Sequence, residues 1–162
     1  MKAVPDPVAA MVDDASAAAG VASPFWATSD PMARETALYE LAFDLDVEDR
    51  GRLLAALPDG YAATQWIFTW EQDRAGEGFG TGVANCGVAA VEQAASWYAR
   101  LGMPEEARAL HAMLAQYAQT PEDYEKIDAA YNTVENPYRE DWDRIPRAVE
   151  ILCDGAEGYF LA

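Results

Sequence analysis

Apolar residues along this chain recur at three- and four-residue intervals and define a series of stripes. Leu38, Leu41 and Leu45 make one, and Ala63, Trp66 and Trp70 a second. Val88, Val91, Ala95, Tyr98 and Leu101 form a third; Ala107, Leu110, Leu114 and Tyr117 form a fourth. Side chains that return to one side at this period belong to helices with one buried face. Strict alternation with β-branched residues, the mark of a half-buried strand, is not found. The abundance of alanine, the best helix former, points the same way.

Start and stop signals divide these stripes. Asp6-Pro7, Asp30-Pro31 and Thr120-Pro121 each place a capping side chain before a proline suited to the first helical turn. Asp123, three residues after Thr120, makes an acidic variant of the capping box. Gly102 and Pro104 read as a helix stop followed by a helix start, with Glu105 and Glu106 in the new first turn. The pattern predicts helices near 7–20, 31–46, 48–57, 60–74, 87–101, 104–118, 121–134 and 142–154. The expected fold is all-α: a single compact multi-helix domain over 31–162 with little or no sheet, preceded by an Ala-rich N-terminal helix or arm over 1–30.

Length and composition agree with a folded domain. With 162 residues, 51% of them hydrophobic, the chain has enough apolar surface to close a core. Charge is where it departs from the ordinary: 28 Asp and Glu stand against 11 Lys and Arg, for a formal charge of -17. A field of that sign repels nucleic acid and anionic lipid and draws in basic proteins. Direct nucleic-acid binding is disfavoured, since it needs cations to replace the counterions around the phosphates. Cys86 and Cys153 do not make a disulfide framework. Lys2 is the only cation near the start, and Asp13 and Asp14 interrupt the apolar run from Val8 to Val12, so neither a signal peptide nor a membrane span is expected. The expected setting is the cytoplasm.

Candidate chemistry is thin. The glycine-rich run Gly76-Glu77-Gly78-Phe79-Gly80-Thr81-Gly82 resembles a phosphate loop only in its glycines. It has no lysine or arginine through Asn85, no Gly-Lys-Ser/Thr and no leading strand. A structural bend between helices, with Phe79 as its buried anchor, is the expectation. His111 is the only histidine, which leaves no histidine cluster for a metal, and Glu106 stands at the wrong spacing for a di-iron Glu-x-x-His pair. His111 borders the apolar face of its helix and is expected to pack half-buried. Cys86 is expected to be a small buried thiol rather than a nucleophile. No catalytic residue, metal or cofactor is expected.

Acids concentrate in two stretches. The first holds Asp44, Asp46, Glu48 and Asp49, and the second runs from Glu122 to Glu157. On a continuous helix Asp44 and Glu48 share a face, as do Glu122, Glu125 and Asp128, with side chains roughly 5–6 Å apart. Glu140, Asp141 and Asp143 extend the second group. These eight are the candidate partner-binding residues; the alternative for each is a solvated face or a complement to the helix dipole. Trp97, Trp142 and Tyr159-Phe160 are candidate anchors for a homodimer, with packing inside the monomer as the alternative.

The segment from Gln65 to Leu114 resembles the bacterial DNA-mimic-protein (DMP) family. The correspondence runs through an aromatic-rich helix with Trp66 and Trp70, then Gly78-Phe79, then Asn85 and Gly87 at the next helix start, then a helix closing on Gly102. Gly76-Glu77 stands where that pattern has Asn-Gly, and Gly80, Thr81 and Gly82 replace its polar and aromatic residues. The resemblance implies an all-helical fold and, as in the family's namesake, a dimer occupying the DNA-binding face of a transcription regulator. The expected function is an acidic module that binds a basic protein as a DNA mimic. The alternatives are an immunity-type inhibitor of a basic toxin, and a small-ligand binder or enzyme with a pocket between Trp66/Trp70 and the Gly-rich turn.

Overall fold

A computed structural model of the chain describes Pro5, Val8 and residues 29–75, 78–121, 123, 125–127, 129 and 143–161. All regular structure among these residues is helical, and no strand occurs among them. The chain divides into two compact units, one built from Met1–Gln65 with Ile145–Ala162 and the other from Trp66–Arg144. The expected helix over 7–20 lies outside the described residues apart from Val8, which is buried.

In the first unit, α1 (Pro31–Asp44) starts where the cap signal placed it. The Asp30 side chain accepts a hydrogen bond from the Met32 backbone N–H at 3.2 Å, and Pro31 takes the first helical position. The helix stops at Asp44, short of the expected 46, and α2 (Arg50–Ala55) starts later than the expected 48. The helix does not continue from Asp44 to Glu48, so the condition for a shared helical face is not met. The electrostatics explain the break. Asp44, Asp46, Glu48 and Asp49 on one continued helix would crowd carboxylates onto the negative end of its dipole. Asp46 and Asp49 pair with Arg50 and Arg52.

The start of α3 (Asp59–Arg74) also belongs to this unit. Its Tyr61 ring meets Phe160 edge-on, with centroids 5.2 Å apart, and the Tyr61 hydroxyl donates to the Phe160 carbonyl at 3.0 Å. Phe160 follows α7 (Arg144–Asp154) and the short α8 (Ala156–Tyr159), the latter not foreseen in the pattern. On α7, Ala148, Val149, Leu152 and Cys153 are buried, four of a single helical face. Leu38, Leu41 and Leu45 are buried too, as their stripe predicts.

In the second unit the glycine-rich run departs from the expectation. Residues Gly78–Cys86 form a helix, α4, rather than a bend. Glycine is a poor helix former, so propensity argued against it. Packing decides otherwise: Phe79, Gly80, Gly82 and Val83 are buried, and the Phe79 ring lies edge-on to Trp70 with centroids 5.2 Å apart. A Cβ on Gly82 would sit 2.9 Å from Trp70 Cζ3 and 3.1 Å from the Arg74 Cα, so only glycine lets α4 lie this close to α3.

Next come α5 (Val88–Arg100) and α6 (Pro104–Gln119), which pack against each other. Gly102 takes a left-handed φ of 79° between them. Its N–H bonds the Ala99 carbonyl at 3.1 Å while the Met103 N–H reaches Tyr98 O at 2.9 Å, which is the Schellman ending that the Gly102 signal implied. Thr120 is not the expected helix start; it closes α6, its N–H bonding the Tyr117 carbonyl. Asp123 does the capping instead, accepting from the Lys126 N–H at 3.0 Å, and residues 125–127 are helical behind it.

Candidate functional site

Polar groups sort into an exposed acidic surface and a small buried set. Among the described residues the buried charged side chains are Glu71, Glu106 and Arg144. The Glu71 carboxylate is the most elaborately held. Its Oε1 accepts from the Tyr98 hydroxyl at 2.9 Å and from Arg144 Nε at 3.2 Å. Its Oε2 accepts from Arg144 Nη2 at 2.8 Å and from Arg74 Nη2 and Nε at 3.1 and 3.3 Å. Fork-on-carboxylate pairing from Arg144 is the strong geometry for such a pair. Both carboxylate oxygens are engaged by these donors. Glu71 ties α3, α5 and the start of α7 together. Sequence reasoning missed it, although a signal was present: Glu71 follows Ile67 by four residues, on the buried side of its helix, with Arg74 one turn on.

Of the candidate partner-binding acids, Asp44, Glu48, Glu125 and Asp143 are exposed. Glu122, Asp128, Glu140 and Asp141 lie outside the described residues, so the row of three steps from Glu122 is represented by Glu125 alone. Asp123 is engaged: a hydrogen bond from the Lys126 side chain, then one from its backbone N–H, holds its carboxyl below the ordinary carboxylate range. Glu40, exposed on α1, adds to the acids ahead of Asp44.

The cations behave differently. Arg50 pairs with Asp46, Arg52 with Asp49 at 2.7 Å, Arg108 with Glu105, and Lys126 with Asp123. Each is a pair within about one turn. Arg34 reaches Asp154 at 3.5 Å. Arg100 lies over the Trp97 ring at 3.7 Å, and Arg74 and Arg144 converge on Glu71. Each of these described cations lies against an acid or an aromatic ring.

The aromatic and glycine residues between Trp66 and Gly102 lie mainly in helix packing and at helix ends. Trp70 and Phe79 are fully buried and pack on each other, Trp66 is half-buried, Gly78 opens α4 with φ 87°, and Gly87 sits before α5 with φ 83°. Asn85 is exposed near the end of α4. Gly102 forms the stop already described. Of the proposed dimer anchors, Trp97 and Phe160 are buried, Tyr159 is half-buried, and Trp142 lies outside the described residues.

His111 and Cys86 both differ from expectation. His111 is exposed rather than half-buried, on the flank of α6 beside the buried Ala107 and Leu114. Cys86 is half-buried; burial, and then the negative charge of Asp73, pushes its thiol up to about 11. Burial likewise raises Cys153 to about 11. Among the described residues no group of three or more His, Cys, Asp or Glu is placed to hold a metal ion, and no helix is long and apolar enough to cross a membrane. Comparison with protein-family models, curated proteins and solved structures finds no match.

Proposed function

We propose that this chain is an acidic protein-binding module of the cytoplasm that occupies the basic, DNA-binding face of another protein. One observation carries the reading: the cations named above are absorbed by neighbouring acids, an aromatic ring or the buried Glu71 cluster, while Glu40, Asp44, Glu48, Glu125 and Asp143 stay exposed. With a formal charge of -17, the net field outside the molecule is negative. Duplex DNA offers roughly one negative charge per 1.7 Å of axis. Carboxylates fixed on helices and their turns present comparable anionic positions to the same arginines and lysines.

Steering by such a field raises the on-rate and falls off as salt shortens the Debye length from about 10 Å at 0.1 M to about 3 Å at 1 M. The test is capture of partners from the source cell at low and at high salt, followed by competition of the captured protein against its DNA. Elution of a basic DNA-binding protein by salt, with DNA and this chain displacing each other, supports the reading. Capture indifferent to salt and to Lys substitution at Glu40, Asp44 and Glu48 removes it.

A further inference from the structure

The described residues expose only four large hydrophobic side chains: Met32, Phe43, Val47 and Val88. Two lie on α1 and a third follows just after its end. Met32 and Phe43 are the most open, at 76% and 78%. On α1 the steps from Met32 to Thr36, Glu40 and Phe43 are four, four and three residues, so all four side chains share one outward stripe. At 1.5 Å per residue the stripe is about 16 Å long. Burial is found on the opposite side of the helix, at Leu38, Leu41 and Ala42.

A groove of about 440 Å³ opens at the N-terminal half of this helix. Pro31, Met32, Tyr39 and Pro146 supply its apolar lining, and Asp30 and Glu35 bring carboxylates to it. Glu40, Asp44 and Glu48 continue the negative charge toward Phe43 and Val47. The one cation of α1, Arg34, is directed to Asp154. The result is a strip of apolar anchors lined with acids.

We propose that the outward face of α1 docks a basic amphipathic helix of the partner, with Met32 and Phe43 as its apolar anchors. This rests on reading the chain as an acidic protein-binding module and names the surface and the partner's chemistry. Charge selects the occupant. A second copy of this chain would set Glu35, Glu40 and Asp44 against their own equivalents, whereas a helix with lysines or arginines flanking an apolar row matches both the anchors and the acids.

The test uses the full chain and two fluorescent synthetic peptides of identical Lys/Leu composition. One places Leu at helical spacing; the other is scrambled so that no apolar face forms. The expected result is tighter binding of the patterned peptide, weakened by salt, with amide shift changes concentrated over residues 31–48. Met32→Ser with Phe43→Ser should weaken the patterned peptide at least about tenfold and leave the scrambled one unchanged, as loss of interface anchors does. Val88→Ser, at an exposed site in the other unit, should leave both affinities as they were. Because these side chains are exposed, the variants keep the fold, which a thermal melt verifies.

Equal, salt-sensitive binding of both peptides, or no effect of the Met32/Phe43 pair, overturns the docking face while leaving the acidic-module reading in place. Self-association of the wild-type chain that Phe43→Ser abolishes also overturns it, in favour of a second copy. Salt-insensitive binding of both peptides defeats the acidic-module reading itself.

Discussion

Glu71 shows how one carboxylate can organise a helical interior. Its five hydrogen-bond contacts come from Tyr98, Arg74 and Arg144, and Arg144 itself is only 1% exposed. Removing the acid takes away the carboxylate on which buried Arg144 and half-buried Arg74 converge, so Glu71→Ala should destabilise the fold by about 3–5 kcal/mol. Tyr98→Phe deletes one hydrogen bond to a charged group and should cost about 1.5–3 kcal/mol. Urea midpoints of the two variants test the order; equal midpoints for wild type and Glu71→Ala would show that the cluster is idle.

The thiols make a second residue-scale prediction. Cys86 and Cys153 both sit at about 11, against an ordinary 9.0, so in the folded chain they stay protonated at pH 8 and should react slowly with a thiol reagent until denaturant is added. Between pH 9 and 11 the folded state holds protons that the unfolded chain has released. Stability from these groups is therefore full below 9 and declines as pH rises toward 11. Burial pushes the Tyr61 hydroxyl upward as well and adds to the same alkaline trend. A denaturation midpoint that holds level across that window would contradict the burial of these groups.

Among the helices, two glycines give opposite expectations from the same substitution. Gly51 lies in α2, where an added Cβ would meet nothing within 4 Å, so Gly51→Ala should gain up to about 1 kcal/mol from helix propensity alone. Gly82 lies in α4 with Trp70 and Arg74 in the way, and Gly82→Ala should lose about 1–3 kcal/mol to overpacking despite the same gain in propensity. Thermal melts of the two single variants, shifted in opposite directions, are the check. The contrast also explains why α4 was illegible. Its glycines carry no local signal for a helix, and their reason is the flank of α3, beyond the reach of any single helical turn. By comparison, the start of α1 was plain, since Asp30 and Pro31 act within their own turn. The start after Thr120 was misplaced by three residues because Asp123 offers the same capping chemistry closer to the helix it serves.

For the whole molecule, a charge of -17 acts on stability as well as on partners. Like charges spread over a folded surface repel one another, and that repulsion is relieved when ions screen it. The thermal midpoint is therefore expected to rise with added sodium chloride; a midpoint that falls would mean that the local ion pairs, such as Arg52 with Asp49, outweigh the excess. Lys substitution at Glu40, Asp44 and Glu48 should slow association with a basic partner more than it speeds dissociation, since exposed charges act mainly on encounter. Stopped-flow rates at two salt concentrations separate the two effects.

Helix class, most of the stripes and the sign of the surface field were determined by the sequence alone, because each depends on neighbours within a turn or on a simple sum of charges. Tertiary structure decided the rest. It turned the glycine-rich run into α4 by close approach to Trp70 and drew Glu71 inward to meet Tyr98 and Arg144. It also chose which apolar side chains stay outside, leaving Met32 and Phe43 on the open face of α1. Periodicity shows that a residue belongs to a face; only the contacts made by residues distant in the chain settle whether that face is covered.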